Sequence, residues 1–378
     1  MNSIFSHGCR SLLRASACSS ALSLVHNSVR QLSTPAPMTV YSGIQPTGIA
    51  TIGNYLGALQ GWARLCARSD PQATIIFSVA DLHALTASPS PEQLRLFRRR
   101  AAALIVASGV DPERSILYYQ SAVPSHSELC WILSCSAEFG YLSRMTQWKS
   151  KLNIPDDSST DAREAQQNLK LGLFAYPVLQ AADILLFQTT HVPVGHDQVQ
   201  HLELTRHIAS RFNTRFDTPV FTVPEVLLTP TPRIMSLKNP LKKMSKSDPS
   251  PASRILISDT PDQISKKIKG AATDSIEGIT YNAAERPGVA NLLDIASGIL
   301  EKSQEDLAAQ FHSMRHGEFK SAITDIIVAE LDPVRKRFDQ LVADTEYLDS
   351  ILERGARQAA ELSAPTLSNV KRVIGISM

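Results

Sequence analysis

The segment TVYSGIQPTGIATIGNYLG, residues 39–57, decides the fold. Thr39 to Ser42 reads as a short strand that ends at Gly43. From Gly53 to about Ala67 the apolar residues Tyr55, Leu56, Leu59, Trp62, Ala63 and Cys66 recur at helical spacing. Between them lies a loop with Gly43, Gly48 and Gly53 five residues apart, which matches neither a Walker A loop nor G-x-G-x-x-G. A loop of this kind lets backbone approach a ligand closely, and a helix N-terminus behind it offers unpaired N–H groups to an anion. Taken alone, an ordinary Gly/Pro-rich turn before a helix reads equally well.

Further along, the same alternation continues. Thr74 to Val79 is a continuous apolar run, as expected of a strand buried on both faces of a parallel sheet. Ser90-Pro91-Glu92 opens a helix that Gly109 closes, and Ser115 to Tyr119 is the next strand. Ser125 with Glu128 three positions on has the form of a capping box. The pattern predicts an α/β doubly wound parallel sheet of Rossmann-like type. Beyond about residue 250 the strands fade, and 261–270, 288–300, 303–312, 319–331, 333–342 and 345–362 read as helices of an all-α C-terminal domain. The division is a leader over 1–32, a sheet domain over 33–237, a Lys-rich loop over 238–250 and a helical domain over 251–378.

Composition narrows the class. The 378 residues are 43% hydrophobic and 20% charged, which excludes disorder and gives enough chain for two cores. No charge-free apolar run reaches the roughly 18 residues of a membrane-spanning helix. The net charge of +2 is uneven: residues 1–32 hold Arg10, Arg14 and Arg30 and no acid, so the rest carries 35 basic against 36 acidic residues, a net of −1. An acid-free segment of Arg, Ser and scattered Leu reads as a mitochondrial transit peptide, with Arg30-Gln31-Leu32 before Ser33 as the processing site. Beyond it stand Cys66, Cys130 and Cys135, an odd number without a C-x-x-C pair, as expected of a reducing compartment.

A second chemical segment is KKMSKSDP, residues 242–249, where three lysines and two serines make a cationic, hydroxyl-rich loop suited to a polyphosphate. By composition alone it would be a solvated charge run. Paired with TIGN (Thr51 to Asn54), about 190 residues earlier, it resembles the two signatures of class I aminoacyl-tRNA synthetases: TIGN stands for HIGH, and KMSKS (Lys243 to Ser247) is intact. YPVLQAADIL (176–185), VPVGHDQVQH (192–201), GIQPTG (43–48) and RIMSL (233–237) are similar to the tryptophanyl-tRNA synthetases within that class, in their bacterial and mitochondrial form.

The resemblance implies that tryptophan is activated by ATP as an adenylate and passed to tRNA(Trp) in the mitochondrial matrix. It implies ATP contacts from Gln45, Pro46, Thr47, Gly53, Asn54, Gly195, His196, Asp197, Ile234, Lys243, Met244, Ser245, Lys246 and Ser247. Among these, Thr51, Asn54, Lys243, Ser245 and Lys246 would carry the catalytic contacts, and Mg²⁺ would arrive on the phosphates rather than in a protein cage. Tryptophan would be bound by Asp183, Tyr41, His83, Gln147, Gln180, Val192, Val194 and Gln198, with Lys151 assisting phosphate. The indole N–H donates and cannot accept, so a buried pocket must offer it an acceptor, and Asp183 is the residue expected to do so. Gln180 stands where many bacterial members carry Met, and His196 where the family usually has Glu. The resemblance also implies a homodimer, with Leu129 to Phe139 as candidate interface helix, and no membrane attachment. Basic clusters at 98–100, 266–269, 335–337 and 371–372 read singly as solvated helix faces; as tRNA contacts, the family's use of its helical domain favours the last two modestly.

Overall fold

The computed structural model describes residues 37–151, 169–195, 198–228 and 233–377, so the segment read as a transit peptide lies outside the described residues. The strands are β1 (Thr39–Ile44), β2 (Thr74–Val79), β3 (Ile116–Tyr119), β4 (His191–Val194) and β5 (Glu225–Leu228). They form a parallel sheet in the order β3-β2-β1-β4-β5. β1 pairs with β2 from Thr39↔Thr74 to Ile44↔Val79 and meets β4 at Val40↔His191 on its other side. Because the order reverses at β1, the connections after β1 and β4 diverge and leave a crevice beyond their C-terminal ends.

The two faces of the sheet bury different sets of residues. Ile75, Phe77 and Val79 point to one face, while Ile76, Tyr41 and Tyr118 point to the other, the period of two that a strand imposes. On the first face pack α1 and α2 (Pro91–Ala107). α1 comprises Ile52–Asn54, a π-helical turn over Tyr55–Leu59, and Gln60–Arg68. On the second pack α3 (Ser125–Ser134), α4 (Leu171–Leu185) and α5 (Val199–Arg215). Ser90 caps α2 as expected, accepting the Gln93 N–H, and Gly109 takes a φ of +96° just past its end.

The capping box expected at Ser125 does not form. Pro124 already has helical dihedrals, so Ser125 lies inside the helix, and Glu128 pairs with Lys371 at 2.8 Å instead. Proline's fixed φ starts the turn one residue early, which removes the geometry a capping serine needs.

After residue 250 the elements are helices: α6 (Pro261–Lys269), α7 (Pro287–Leu300), α8 (Gln304–Phe311), α9 (His316–Ala343) and α10 (Thr345–Val373). The last two differ from expectation. The segments 319–331 and 333–342 are one helix through Pro333, and α10 runs through Pro365 to Val373. A proline inside a helix costs about 3 kcal/mol locally. Here Leu331, Val334 and Phe338 are buried on both sides of Pro333, and Thr366, Leu367 and Val370 are buried beyond Pro365. Burial of these side chains offsets the local cost.

α10 covers the edge strand β3, which would otherwise present unpaired backbone. Its first half (Leu348, Ile351, Leu352) joins the core on one face of the sheet, and its second half (Ala359, Leu367, Val370) joins the other. Gly355 is the crossing point, since a Cβ there would lie 2.0 Å from the Leu117 carbonyl oxygen and 2.7 Å from its carbon. Gly355→Ala should therefore push α10 off β3 and destabilise the protein by about 1–3 kcal/mol. Equilibrium denaturation against wild type measures this, and an unchanged midpoint would mean the helix can slide without loss.

Candidate functional site

At the crevice between β1 and β4 lies a cavity of about 480 Å³. Tyr41 to Gln45 come from the end of β1, and Val192 to Gly195 from the end of β4. α4 contributes Tyr176, Gln180 and Asp183, which share one face because they sit three or four residues apart. All eight residues expected to bind tryptophan line it: Tyr41, His83, Gln147, Gln180, Asp183, Val192, Val194 and Gln198. Gln45 and Gly195, expected on the nucleotide side, line it too. Its apolar wall includes Trp62, whose ring stacks on Phe77 at 4.5 Å.

Asp183 is 2% exposed and lies in the last turn of α4, so an N-cap role is excluded. Its Oδ1 accepts from Gln120 Nε2 at 2.7 Å and from His126 Nδ1 at 2.7 Å. Its Oδ2 accepts from Gln120 Nε2 at 2.8 Å and from His83 Nε2 at 2.9 Å. Burial alone pushes this carboxyl upward. His126, through its charge when the ring is protonated and through its hydrogen bond, and then His83 likewise, outweigh burial and hold it well below the usual carboxylate range. The cavity therefore keeps a fixed anion. Nearby, burial pushes the Tyr41 and Tyr118 hydroxyls well up, so both stay protonated donors, and Tyr41 bonds Ser78 Oγ at 2.6 Å. A second set links Tyr176 to Gln147 Oε1 at 3.1 Å and to His201 Nε2 at 2.9 Å. Gln180, the departure noted above, donates to Gln198 Oε1 at 3.4 Å.

The signature segments meet beside the cavity. Thr51 caps α1 and forms a closed pair with Asn54: Thr51 Oγ1 accepts the Asn54 N–H at 3.3 Å, and Asn54 Oδ1 accepts the Thr51 N–H at 3.1 Å. Ile52 N–H donates to the Ile255 carbonyl at 2.9 Å and Ile257 N–H to the Ala50 carbonyl at 3.1 Å. The first signature is thus stitched to the chain just past the second. Gly53 faces Ile234, where a Cβ would come within 3.4 Å. Ile234 in turn accepts the Met244 N–H at 3.1 Å, and Asn291 grips Met235 through both its N–H (2.7 Å) and its carbonyl (2.9 Å).

Lys246 reaches Thr47 Oγ1 at 3.3 Å and the Gly48 carbonyl at 3.5 Å, closing the second loop over the first. Its burial pulls the ammonium pKa down, so an incoming anion would restore what desolvation removes. Ser245 and Ser247 bond each other at 2.9 Å, and Lys243 pairs across a β-bridge with Met235. Pro46, Thr47, Thr51, Gly53, Asn54, Ile234 and residues 243–247 therefore form one group, adjoining but not lining the cavity. His196, Asp197 and the side chain of Lys151 lie outside the described residues.

Gln120 and His126, both 0% exposed, belong to the same network but carry no signal in the sequence. No periodicity or motif distinguishes them, since they meet Asp183 only when α4 packs against the end of β3 and the start of α3. Of the basic clusters, Arg98 pairs with Asp81, Arg99 with Asp349, Arg335 and Lys336 with Asp332, and Lys371 with Glu128. These side chains are engaged within the protein.

Comparison with known proteins places the site in a lineage. The family model "tRNA synthetases class I (W and Y)" matches residues 34–332. The mitochondrial tryptophan–tRNA ligase of Saccharomyces cerevisiae is 48% identical over 345 residues, covering 89% of this chain and 90% of that protein. Among solved structures, tryptophanyl-tRNA synthetase from Mycoplasma pneumoniae superposes with a TM-score of 0.79 at 32% identity, covering 90% of this chain and 98% of that one. The Campylobacter jejuni enzyme, complexed with ADP and tryptophan, gives 0.72 at 31% identity over 89% and 100% of the two chains.

Two outcomes test the site's electrostatics and its capping. A lowered carboxyl pKa stabilises the folded state above the unfolded value of about 3.9, and that contribution is lost as pH falls through the folded value. The melting temperature of Asp183→Asn should therefore lie below wild type at neutral pH, with the gap narrowing below about pH 4. A gap independent of pH would mean packing, not charge, is at stake. Thr51→Val keeps the branched shape but removes the cap, and should cost about 0.5–2 kcal/mol, with faster hydrogen exchange at the Asn54 amide.

Proposed function

Since the chain belongs to the class I tRNA synthetases, in the tryptophan–tRNA ligase family, we propose that the cavity takes the tryptophan side chain and that the adjoining signature group takes ATP. The reaction is ATP-dependent attachment of tryptophan to tRNA(Trp) for mitochondrial translation. The carboxylate that closes the cavity floor carries this reading. Asp183 is the acceptor for the indole N–H, and a side chain lacking that donor gains nothing from the carboxylate. Tyr41, Val192 and Val194 enclose the ring, while Gln147 and Gln198 lie where the amino acid's polar end would sit.

The tryptophan carboxylate then attacks the α-phosphorus of ATP. The bond to the bridging oxygen breaks, and pyrophosphate leaves with its charge held by Lys243, Ser245 and Lys246. Gln45, Pro46, Thr47, Gly53, Gly195 and Ile234 shape the nucleoside side, and the Thr51–Asn54 cap aims the start of α1 at the phosphates. In the second step the terminal ribose hydroxyl of tRNA attacks the adenylate carbonyl and AMP departs. Positioning and charge stabilisation do this work, without a protein nucleophile.

The donors around the phosphate side are ammonium, hydroxyl and amide groups, which suit phosphate oxygens and not a cation. Among the described residues no group of three His, Cys, Asp or Glu could hold a metal ion. Mg²⁺ would come with ATP, neutralising its charge.

Three finer readings go with this. The protein works as a homodimer through the region of α3, where Trp131 (73% exposed), Phe139 (67%) and Leu171 (80%) present large apolar surface. The part beyond residue 251 reads the anticodon, and the matrix is its compartment. No helix among the described residues is long and apolar enough to cross a membrane.

ATP–pyrophosphate exchange is the deciding assay: it should depend on tryptophan and fail with tyrosine. Lys246→Ala should slow exchange roughly 10²–10³-fold with little change in tryptophan affinity, as for loss of one transition-state donor. Exchange with tyrosine alone, or full activity of that variant, would refute the respective assignment.

A further inference from the structure

The donors on Asp183 divide by the side from which they come. His83 lines the cavity, whereas His126 and Gln120 do not and reach the carboxylate from behind. A carboxylate offers about four acceptor positions. Gln120 and His126 fill both at Oδ1, and Gln120 fills one at Oδ2. The remaining position, facing the cavity, is taken by His83. A ligand N–H can therefore compete only at Oδ2, and only with His83.

Two features fix the rear donors. The Gln120 amide cannot flip, because its Oε1 accepts the Leu82 N–H at 3.2 Å. An ionised Asp183 only accepts, so His126 must carry its hydrogen on Nδ1, which leaves Nε2 to meet the Tyr118 hydroxyl at 2.8 Å. That hydroxyl is a donor suited to a bare ring nitrogen, and Tyr118 is itself 0% exposed. The imidazole is also stacked 5.8 Å from the Tyr118 ring and packed 5.7 Å from Phe187, so it cannot turn freely.

We infer that His126, with its tautomer set by Tyr118, is a positioning residue for tryptophan selection: it occupies Oδ1 and so aims Oδ2 of Asp183 at the indole N–H. This rests on the reading of Asp183 as the indole acceptor. The inference concerns a residue that touches no substrate, so its signature is in specificity and not in the chemical step.

Exchange kinetics on the full-length protein test it. His126→Leu should raise KM for tryptophan roughly 10–100-fold, by analogy with removing the hydrogen-bond partners behind metal ligands. KM for ATP should stay within about twofold, and preference for tryptophan over phenylalanine should fall by a similar factor to the loss in tryptophan KM. His126→Asn, which returns a donor near the Nδ1 position, should recover most of the loss. Tyr118→Phe, a milder change, should raise tryptophan KM alone by about threefold to tenfold by freeing the other tautomer. If the leucine variant does not fold, the asparagine and phenylalanine variants still decide. Unmoved tryptophan KM in the folded variants, or equal shifts in both KM values, would overturn the inference. Asp183→Asn run alongside separates the two ideas. Retained selectivity there overturns the acceptor reading and this inference together, whereas lost selectivity there with unmoved His126 and Tyr118 variants overturns this inference alone.

Discussion

A carboxylate buried beneath a cavity can remain ionised only where donors surround it, and Asp183 gathers three of them from elsewhere in the chain. His83 follows β2, Gln120 follows β3, His126 opens α3, and Asp183 sits on α4. The groups lie 57 to 100 residues from Asp183. They converge because parallel strands bring their C-terminal ends to one edge, and because the reversal of order at β1 opens a crevice there. The anion thus requires the sheet as much as the sheet supplies the anion.

The second cluster is held by backbone more than by side chains. The bonds linking 50–52 to 255–257, and those joining 234–236 to 242–244, lock two segments about 190 residues apart into one cradle. Asn291 on α7 braces this cradle at Met235, so the helical part of the chain supports the signature segments directly. Tyr55 and Gln60 of α1 add contacts of 2.5 and 3.1 Å to Glu330 on α9. Lys246 is then carried on a positioned frame, as the proposed catalysis by positioning would require.

Much of this was legible in the sequence where local chemistry dominates. The Thr74–Val79 strand and the Ser90 cap follow from apolar continuity and from a serine before proline. The eight pocket residues were reachable through resemblance, since their motifs are contiguous strings. Ser125 was misread because Pro124 starts the helix a residue early. The breaks expected at Pro333 and near 362 were misplaced because burial on both sides of Pro333 and Pro365 outweighs a local penalty. At these two prolines a propensity of a few kcal/mol met packing that the sequence does not display.

By itself, the sequence determined the α/β class, the two signature loops and the strings that mark the amino-acid pocket, because each is encoded within ten or so consecutive residues. Tertiary structure alone decided that Gln120, His126 and Tyr118 stand behind Asp183, that Gly355 passes α10 across β3, and that Lys246 closes on Thr47 and Gly48. The physical reason is distance along the chain. Period and capping act over a few residues, whereas hydrogen bonding of a buried charge and close approach of two backbones depend on which distant elements the sheet order sets side by side.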